Sequence, residues 1–377
     1  MKMARLGEVC AIRSGGTPSR SRSDYYGGPV PWAKIADIEC SDGQLYTTEE
    51  TITEAGLAAI RGRLFPTGTL LFSIYGSIGK MAFCGRPVAT NQAILGIEIP
   101  ADGPINSRYL YRYLEALRSK LQNDGIGVTQ KNLSAAYVRD IAVPIPPLPE
   151  QRRIAAILDQ ADALRRLRRQ SLSRLSDLGQ AIFFEMFGDL NKSSQPLKAL
   201  GRVVTGSTPP SSAEGMFGGS IPFVTPGDLG SAEASARFVT DAGAKKSRLV
   251  AGGSTLVCCI GATIGKMDQA ARESAFNQQI NAIEWGERVR DDYGFYAVRS
   301  LRDVIIFRGK GASTTLPILK KSEFEKLEIK VADLPLQDLF AERLAAVRAL
   351  KREGIAGLEG STSLFASLQH RAFRGEL

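Results

Sequence analysis

A single histidine, His370, is present in 377 residues. Histidine is the usual proton carrier of enzymes near neutral pH, and a lone one on a presumed helix reads as structural. The five cysteines (Cys10, Cys40, Cys84, Cys258 and Cys259) have neither metal-ligand spacing nor an even disulfide pattern, which leaves reduced structural thiols. No apolar run reaches the roughly 18 residues of a membrane span. The start, MKMARLGEVC, lacks the apolar segment of a secretory signal, so the expected compartment is cytoplasmic. Two catalytic look-alikes fail. Gly76-Ser-Ile-Gly79-Lys80-Met81 has Ile74 where a phosphate-binding loop needs its first glycine. Glu328-Ile329-Lys330 carries the end of a nuclease pattern without a nearby earlier acidic residue. The Asn-Pro-Pro-Tyr or Asp-Pro-Pro-Tyr stretch of an amino-methyltransferase is missing too. No catalytic residue, metal site or resident cofactor is assigned.

What the chain does have is positive charge and a repeat. Lys and Arg number 48 against 39 Asp and Glu, a net +9, which suits a polyanionic partner. Residues 13–38 (RSGGTPSRSRSDYYGGPVPWAKIADI) return as residues 204–229 (VTGSTPPSSAEGMFGGSIPFVTPGDL). Thr17-Pro18 match Thr208-Pro209, Gly27-Gly28 match Gly218-Gly219, Pro31 matches Pro222 and Asp37 matches Asp228, all at an offset of 191. Farther on, Ile78-Gly79-Lys80-Met81 matches Ile264-Gly265-Lys266-Met267, and Asn91-Gln92 matches Asn277-Gln278, at an offset of 186. Matches kept in order over both halves of the chain mark a duplication.

Within each copy, apolar runs such as Thr69–Tyr75 and Thr255–Ile260, bounded by glycine, predict buried strands. Asn106–Leu121 has helical spacing, and Asp291–Asp303 is its counterpart. Prolines at Ile145-Pro-Pro-Leu-Pro-Glu-Gln151 mark the entry to a long helix over Glu150–Phe187. Its stripe is Ile154, Leu158, Ala161, Leu172, Leu175, Ile182 and Met186, widened by Ile157, Leu164 and Leu178. A second helix enters through Asp333-Leu-Pro-Leu-Gln337, with Phe340, Leu344, Val347, Leu358, Phe365 and Leu368 as its stripe. Thirty-eight residues span roughly 57 Å. Stripes of this length must be covered, and the obvious cover is the other helix, in an antiparallel coiled coil with approximate two-fold symmetry and neighbouring termini. Gly354, Gly357 and Gly360 fall at every third position of the second helix; they mark either close backbone packing or a break. The expected fold is α+β, with recognition domains over 1–147 and 191–331 and spacer helices over 148–190 and 332–377.

This arrangement resembles the specificity subunit of type I restriction-modification systems. The residues that carry the resemblance are Gly15-Gly16-Thr17-Pro18, Pro31-Trp32, Asp37, Ile78-Gly79-Lys80, Asn91-Gln92 and Leu148-Pro149-Glu150-Gln151, with their second-copy matches. The second copy departs at Phe223, in place of Trp32, and at Ala332-Asp-Leu-Pro-Leu-Gln337. The resemblance implies that each domain reads one half of a split DNA site and that the helices set the unread gap. It implies that two methyltransferase subunits, which bind S-adenosylmethionine, dock on the helices, and that motor-nuclease subunits complete the complex. The alternative is a reader for a methylation-only or other DNA-processing assembly.

The charge is placed accordingly: residues 1–147 carry +3, 148–190 carry +1, 191–331 carry +5 and 332–377 carry none. Candidate DNA contacts are Thr129, Gln130, Lys131 and Asn132 after Gly125-Ile-Gly127, and Ser313, Thr314 and Thr315 after Gly309-Lys310-Gly311. Gln and Asn can pair with adenine and Lys with guanine, and glycine lets backbone approach a duplex. Lys34 and Lys310 are further candidate DNA contacts, and Lys80 and Lys266 are candidates for phosphate, with a fold-stabilising loop as the competing reading of those two. The GGTPS and GSTPPS loops read as structural, with glycine supplying unusual φ. Arg165, Arg166, Arg168 and Arg169 are candidates for partner contact, against a solvated helix face.

Overall fold

A computed structural model describes residues 2–125, 132–210, 212–230, 235, 237–311 and 316–377. Six helices carry the architecture: α1 (Ser107–Ala116), α2 (Arg118–Asp124), α3 (Leu148–Phe187), α4 (Asp291–Ser300), α5 (Arg302–Gly311) and α6 (Leu334–Arg374). The chain forms two units, Met1–Arg168 with Gly357–Leu377, and Arg169–Ala356. The single helix expected over Asn106–Leu121 is two helices. The Leu117 N–H, bonded back to Tyr113 and Glu115, tightens the turn between α1 and α2, and Leu301 divides α4 from α5 in the same way.

Unit 1 is α+β. Its five-stranded sheet runs Ala11–Ser14, Ile94–Glu98, Leu70–Ser73, Met81–Cys84, Gln44–Leu45. A four-stranded sheet runs Glu50–Ile52, Tyr26–Ala33, Val88–Thr90, Leu64–Phe65, its middle pair parallel. Unit 2 repeats the plan. One sheet runs Gly201–Thr205, Ile280–Trp285, Thr255–Cys258, Met267–Gln269. The other runs Phe238–Val239, Phe217–Val224, Ser274–Phe276, Leu249–Val250, again with a parallel middle pair. The expected strands appear as Leu70–Ser73 and Thr255–Cys258, buried on both faces.

The recurring GGTPS loops hold each unit together. The Thr17 hydroxyl donates to the Gln92 side-chain oxygen, and Thr208 donates to Gln278 at 2.7 Å. Their glycines do not supply unusual φ, contrary to the sequence expectation, because neither Gly15 nor Gly206 lies at positive φ. They permit contact instead: a Cβ would fall 2.3 Å from the Asn91 carbonyl oxygen at Gly15 and 2.2 Å from that of Asn277 at Gly206.

Each long helix is rooted by a buried glutamine. Prolines in the lead-in present carbonyls and no N–H. Gln151, fully buried, accepts from the Asn106 N–H at 2.7 Å and donates to the Pro104 and Pro146 carbonyls, both at 2.8 Å. Gln337, equally buried, accepts from the Arg290 N–H at 2.8 Å and donates to Arg288 at 3.1 Å and Ala332 at 2.7 Å. The second entry is thus built like the first, although its flanking residues differ. In both, the glutamine binds the root of α3 or α6 to the first residues of α1 or α4.

Within each unit the long helices run antiparallel. In unit 1 Arg153 donates to the Leu377 carbonyl at 2.5 Å, the Arg165 guanidinium lies 4.2 Å from the Phe365 ring centroid, and Arg168 donates to the Gly357 carbonyl. The Lys2 carbonyl meets the Ile145 N–H at 2.8 Å, just ahead of α3, so the chain's first described residues and its last both reach the root of α3. In unit 2 Phe183 and Phe187 both pack on Phe340 at 5.6 Å, and Glu185 meets Arg343 at 3.7 Å. Helix α6 is continuous for 41 residues. A Cβ on Gly354 would stand 2.8 Å from Leu172, and one on Gly357 2.8 Å from Arg168, whereas Gly360 has open space. Two of the three glycines therefore serve close packing. Leu164 and Leu178, assigned to the stripe, are exposed; Phe183 and Phe187, one position off it, are buried instead.

Replacing Gln151 tests the root. Gln151→Leu orphans a buried N–H and two carbonyls and is expected to cost about 3 kcal/mol. Gln151→Glu keeps the acceptor but aims a buried carboxylate at two carbonyl oxygens, which raises its pKa. Its stability should then be higher at pH 5 than at pH 8, since a raised folded pKa favours the protonated fold. Equal thermal melting temperatures at the two pH values would show that position 151 is hydrated.

Candidate nucleic-acid interface

In unit 1 the strands Leu70–Ser73 and Met81–Cys84 are joined by a loop that turns on Gly76 and Gly79, with φ of +60° and +78°. The Gly79 N–H closes on the Ser73 carbonyl at 3.0 Å. The segment after α2 is pinned to this loop: Tyr75 bridges Asn132, and the Leu133 N–H donates to the Ile74 carbonyl at 2.9 Å. Unit 2 repeats the construction. Gly261 and Gly265 have φ of +95° and +85°, Ile260 bridges Ile318, and the Leu319 N–H donates to the Cys259 carbonyl at 2.8 Å. Only glycine takes such φ without strain, so the recurrence of the glycine in Ile-Gly-Lys follows from the turn.

This geometry brings Asn132 to the loop that carries Lys80, and α5 with Lys310 to the loop that carries Lys266, where Gly309 accepts from the Ile318 N–H at 3.0 Å. Thr129, Gln130, Lys131, Ser313, Thr314 and Thr315 lie outside the described residues. The two loop lysines differ in surroundings. Lys80 stands 3.5 Å from Glu39. A hydrogen bond from Ser77, aided by Lys80 and Arg118, holds the Glu39 carboxyl below the usual carboxylate range despite partial burial. Lys266 is exposed, and Gly230 stands at the repeat position of Glu39. Lys34 is bonded to Glu49 at 2.7 Å and Glu50 at 2.8 Å. Those hydrogen bonds hold its ammonium above the ordinary lysine range, so its charge is compensated within the domain.

Three of the four helix arginines have internal partners. Arg165 pairs with Asp162 at 2.6 Å and stacks on Phe365; Arg166 pairs with Asp42 at 2.9 Å; Arg168 bonds Gly357. Arg169 is exposed. The pairing belongs to a latch that sequence reasoning missed. Arg112, with 1% of its side chain exposed, bonds Asp159 at 2.7 Å, Glu115 at 2.8 Å and Asp162 at 3.2 Å. Arg108 adds a bidentate pair to Asp159. Burial opposes ionisation of Asp162, but Arg165 and Arg112 outweigh it and hold its carboxyl below the usual range. In unit 2 the polarity is reversed: Asp292 on α4 takes both guanidinium nitrogens of Arg348 on α6, at 2.6 and 2.9 Å. Arg348 stands at the repeat position of Asp162, and Asp292 at that of Arg108.

Cys10, Cys84 and Cys259 are buried, and burial pushes each thiol up to about 12, while Cys40 is exposed.

Two α+β units, each with the same glycine-turned basic loop and each rooted on a long helix, define a duplicated nucleic-acid reader. The model of the type I restriction modification DNA specificity domain matches residues 1–176 and again 193–359. The chain belongs to the type I restriction-modification DNA specificity family and is a non-catalytic recognition subunit. It is similar to the type I restriction enzyme MjaIX specificity subunit of Methanocaldococcus jannaschii, at 27% identity over 380 residues, covering 90% of this chain and 84% of the relative. The S subunit from M. genitalium has a similar fold, with a TM-score of 0.57 at 12% identity over 99% of this chain and 96% of that one. A chain from a structural study of complex assembly and conformational transition in a type I system gives 0.63 at 18% identity, over 100% and 98%.

The Arg112 latch is open to test. Arg112→Met removes the buried guanidinium shared by Asp159, Glu115 and Asp162, leaving Asp159 to Arg108 and Asp162 to Arg165, and is expected to cost at most about 3 kcal/mol at pH 7. The contribution of Asp162 exists above its unfolded pKa near ~4 and fades as pH falls through its lower folded value. The gap between wild type and variant in urea unfolding should therefore narrow in acid. A gap independent of pH would assign the loss to packing alone.

Proposed function

We propose that this specificity subunit reads a bipartite duplex, one half-site per unit, and that α3 and α6 set the length of the unread gap. The observation that carries the reading is the recurrence of one interface, loop and pinned segment together, in both units of a single chain. Cations near Gly-rich loops supply phosphate contact, and adjacent polar side chains supply base readout. The long helices also leave apolar side chains exposed: Leu164, Leu167 and Leu364 in unit 1, and Leu178, Leu350 and Ile355 in unit 2. Apolar side chains repeated along two helices support docking of two methyltransferase subunits, with Arg169 alongside. Those subunits would bring S-adenosylmethionine and the methyl-transfer chemistry, and motor-nuclease subunits would complete a restriction complex.

Replacing residues 1–147 by the matching domain of another such protein should change one half of the target and leave the other as it was; methylome sequencing showing both halves altered would end the modular reading. Adding one turn, about 5.4 Å, to both α3 and α6 should widen the gap by one or two base pairs at ~3.4 Å each. An unchanged gap would remove the helices from that role.

A further inference from the structure

Among the described residues, Phe307 is the most exposed large apolar side chain, at 80%. Helix α5 lies on the glycine loop of unit 2 by its other face. Ile305 is fully buried, a Cβ on Gly309 would stand 2.1 Å from Ile264, and a Cβ on Gly265 would stand 2.8 Å from Ile306. Two residues on from Ile305, at about 100° per residue, Phe307 points away from that contact. Its surroundings are cationic: Arg302, Arg308 and Lys310 on α5 are exposed against one carboxylate, Asp303, and Lys266 is exposed on the loop beneath.

The two copies differ at this position. Leu117 matches Leu301, and the buried Leu121 matches the buried Ile305, which sets Asn123 opposite Phe307. Both are exposed. The two packing positions before it, Leu117 with Leu301 and Leu121 with Ile305, keep an aliphatic side chain in both copies, whereas this one changes from an amide to an aromatic ring. A protein partner docking alike on both units would ask for similar residues in both. Two different half-sites would ask for different ones. Asn can hydrogen-bond a base edge; Phe has no donor or acceptor, and its match in a major groove is the thymine methyl group.

We infer that Phe307 makes an apolar contact with a thymine methyl in the half-site read by unit 2, and that Asn123 holds the matching place in unit 1. The inference rests on the DNA reading proposed above. The test uses the full chain assembled with its methyltransferase subunits and a target found by methylome sequencing. Deoxyuridine replaces thymidine one position at a time, which removes only the methyl group. One position in the second half-site should weaken binding about fourfold in the wild type and have no effect in Phe307→Ala. Phe307→Ala should lose a similar factor on the unmodified duplex without changing the salt dependence, and Phe307→Leu should recover part of it. Lys266→Ala should lower the slope of log affinity against log salt by about one. If no position in that half-site responds to methyl removal, or the response survives in Phe307→Ala, the assignment is overturned. Loss of methyltransferase assembly in Phe307→Ala with DNA binding intact would overturn it in favour of a protein contact. If Lys266→Ala and Lys310→Ala also leave affinity and slope unchanged, the DNA reading of this face falls with it.

Discussion

Each half of this chain depends on a buried glutamine at the root of a long helix. A proline-marked lead-in reaches the helix rich in carbonyls and poor in N–H donors, and burying it would leave acceptors unsatisfied. Gln151 and Gln337 resolve this with the one side chain that donates twice and accepts once at that spot. The bonds also tie the helix root to the first residues of α1 or α4, so the helix direction becomes a property of the recognition domain. The stakes are geometric. A helix of 40 residues is about 60 Å long, and a tilt of roughly 5° at its root moves the far end by about 5 Å, more than the ~3.4 Å rise of a base pair. A spacer that sets a gap in DNA needs a stiff root more than it needs a stiff middle.

The duplication sorts residues by what they do. Thr17 with Gln92, Gly79 and Tyr109 recur as Thr208 with Gln278, Gly265 and Tyr293, and each recurring contact closes a loop or ties a domain element to its neighbours. The copies diverge in the core, where Phe223 replaces Trp32, and at the helices. The latch is the clearest case: an arginine on α1, Arg108, is matched by Asp292 on α4, and Asp162 on α3 is matched by Arg348 on α6. A domain of one copy seated on the helix root of the other would place like charges together: Asp292 would meet Asp162, and Arg108 would meet Arg348. Near-identical folds in one chain risk mispairing, and charge reversal raises the cost of the wrong pairing.

Much of this was legible in the residues. The repeat, the buried strands and both long helices follow from offsets and periodicity, which are local properties. What the sequence did not show turns largely on partners far away along the chain. A glutamine in the first turn of a helix reads as solvated until Pro104 and Asn106, some 45 residues earlier, are seen around it. Arg112 reads as an ordinary surface residue of α1 until Asp159 and Asp162 meet it 50 residues on. Leu164 and Leu178 fit the heptad rhythm as well as their buried neighbours do, because a stripe wide enough for two partners looks the same as a stripe wide enough for one. Phe307 lies outside the buried face of α5, and only the packing of that helix on the Gly265 loop shows which face that is.

Charge has to be read at two distances. Long-range attraction to a polyanion depends on net charge, which internal ion pairs leave unchanged; by that measure the second recognition segment, at +5, outweighs the first, at +3. Contact with phosphate depends on donors free to leave their present partners. Lys34 and Lys80 in unit 1 face carboxylates at 2.7 to 3.5 Å, so a phosphate there must displace an existing bond and gains only the difference. Lys266, with Gly230 at the repeat position of Glu39, has no such exchange to make with that residue. The same loop, built on the same two glycines, therefore meets a carboxylate at Glu39 in one copy and has a glycine at the matching position in the other.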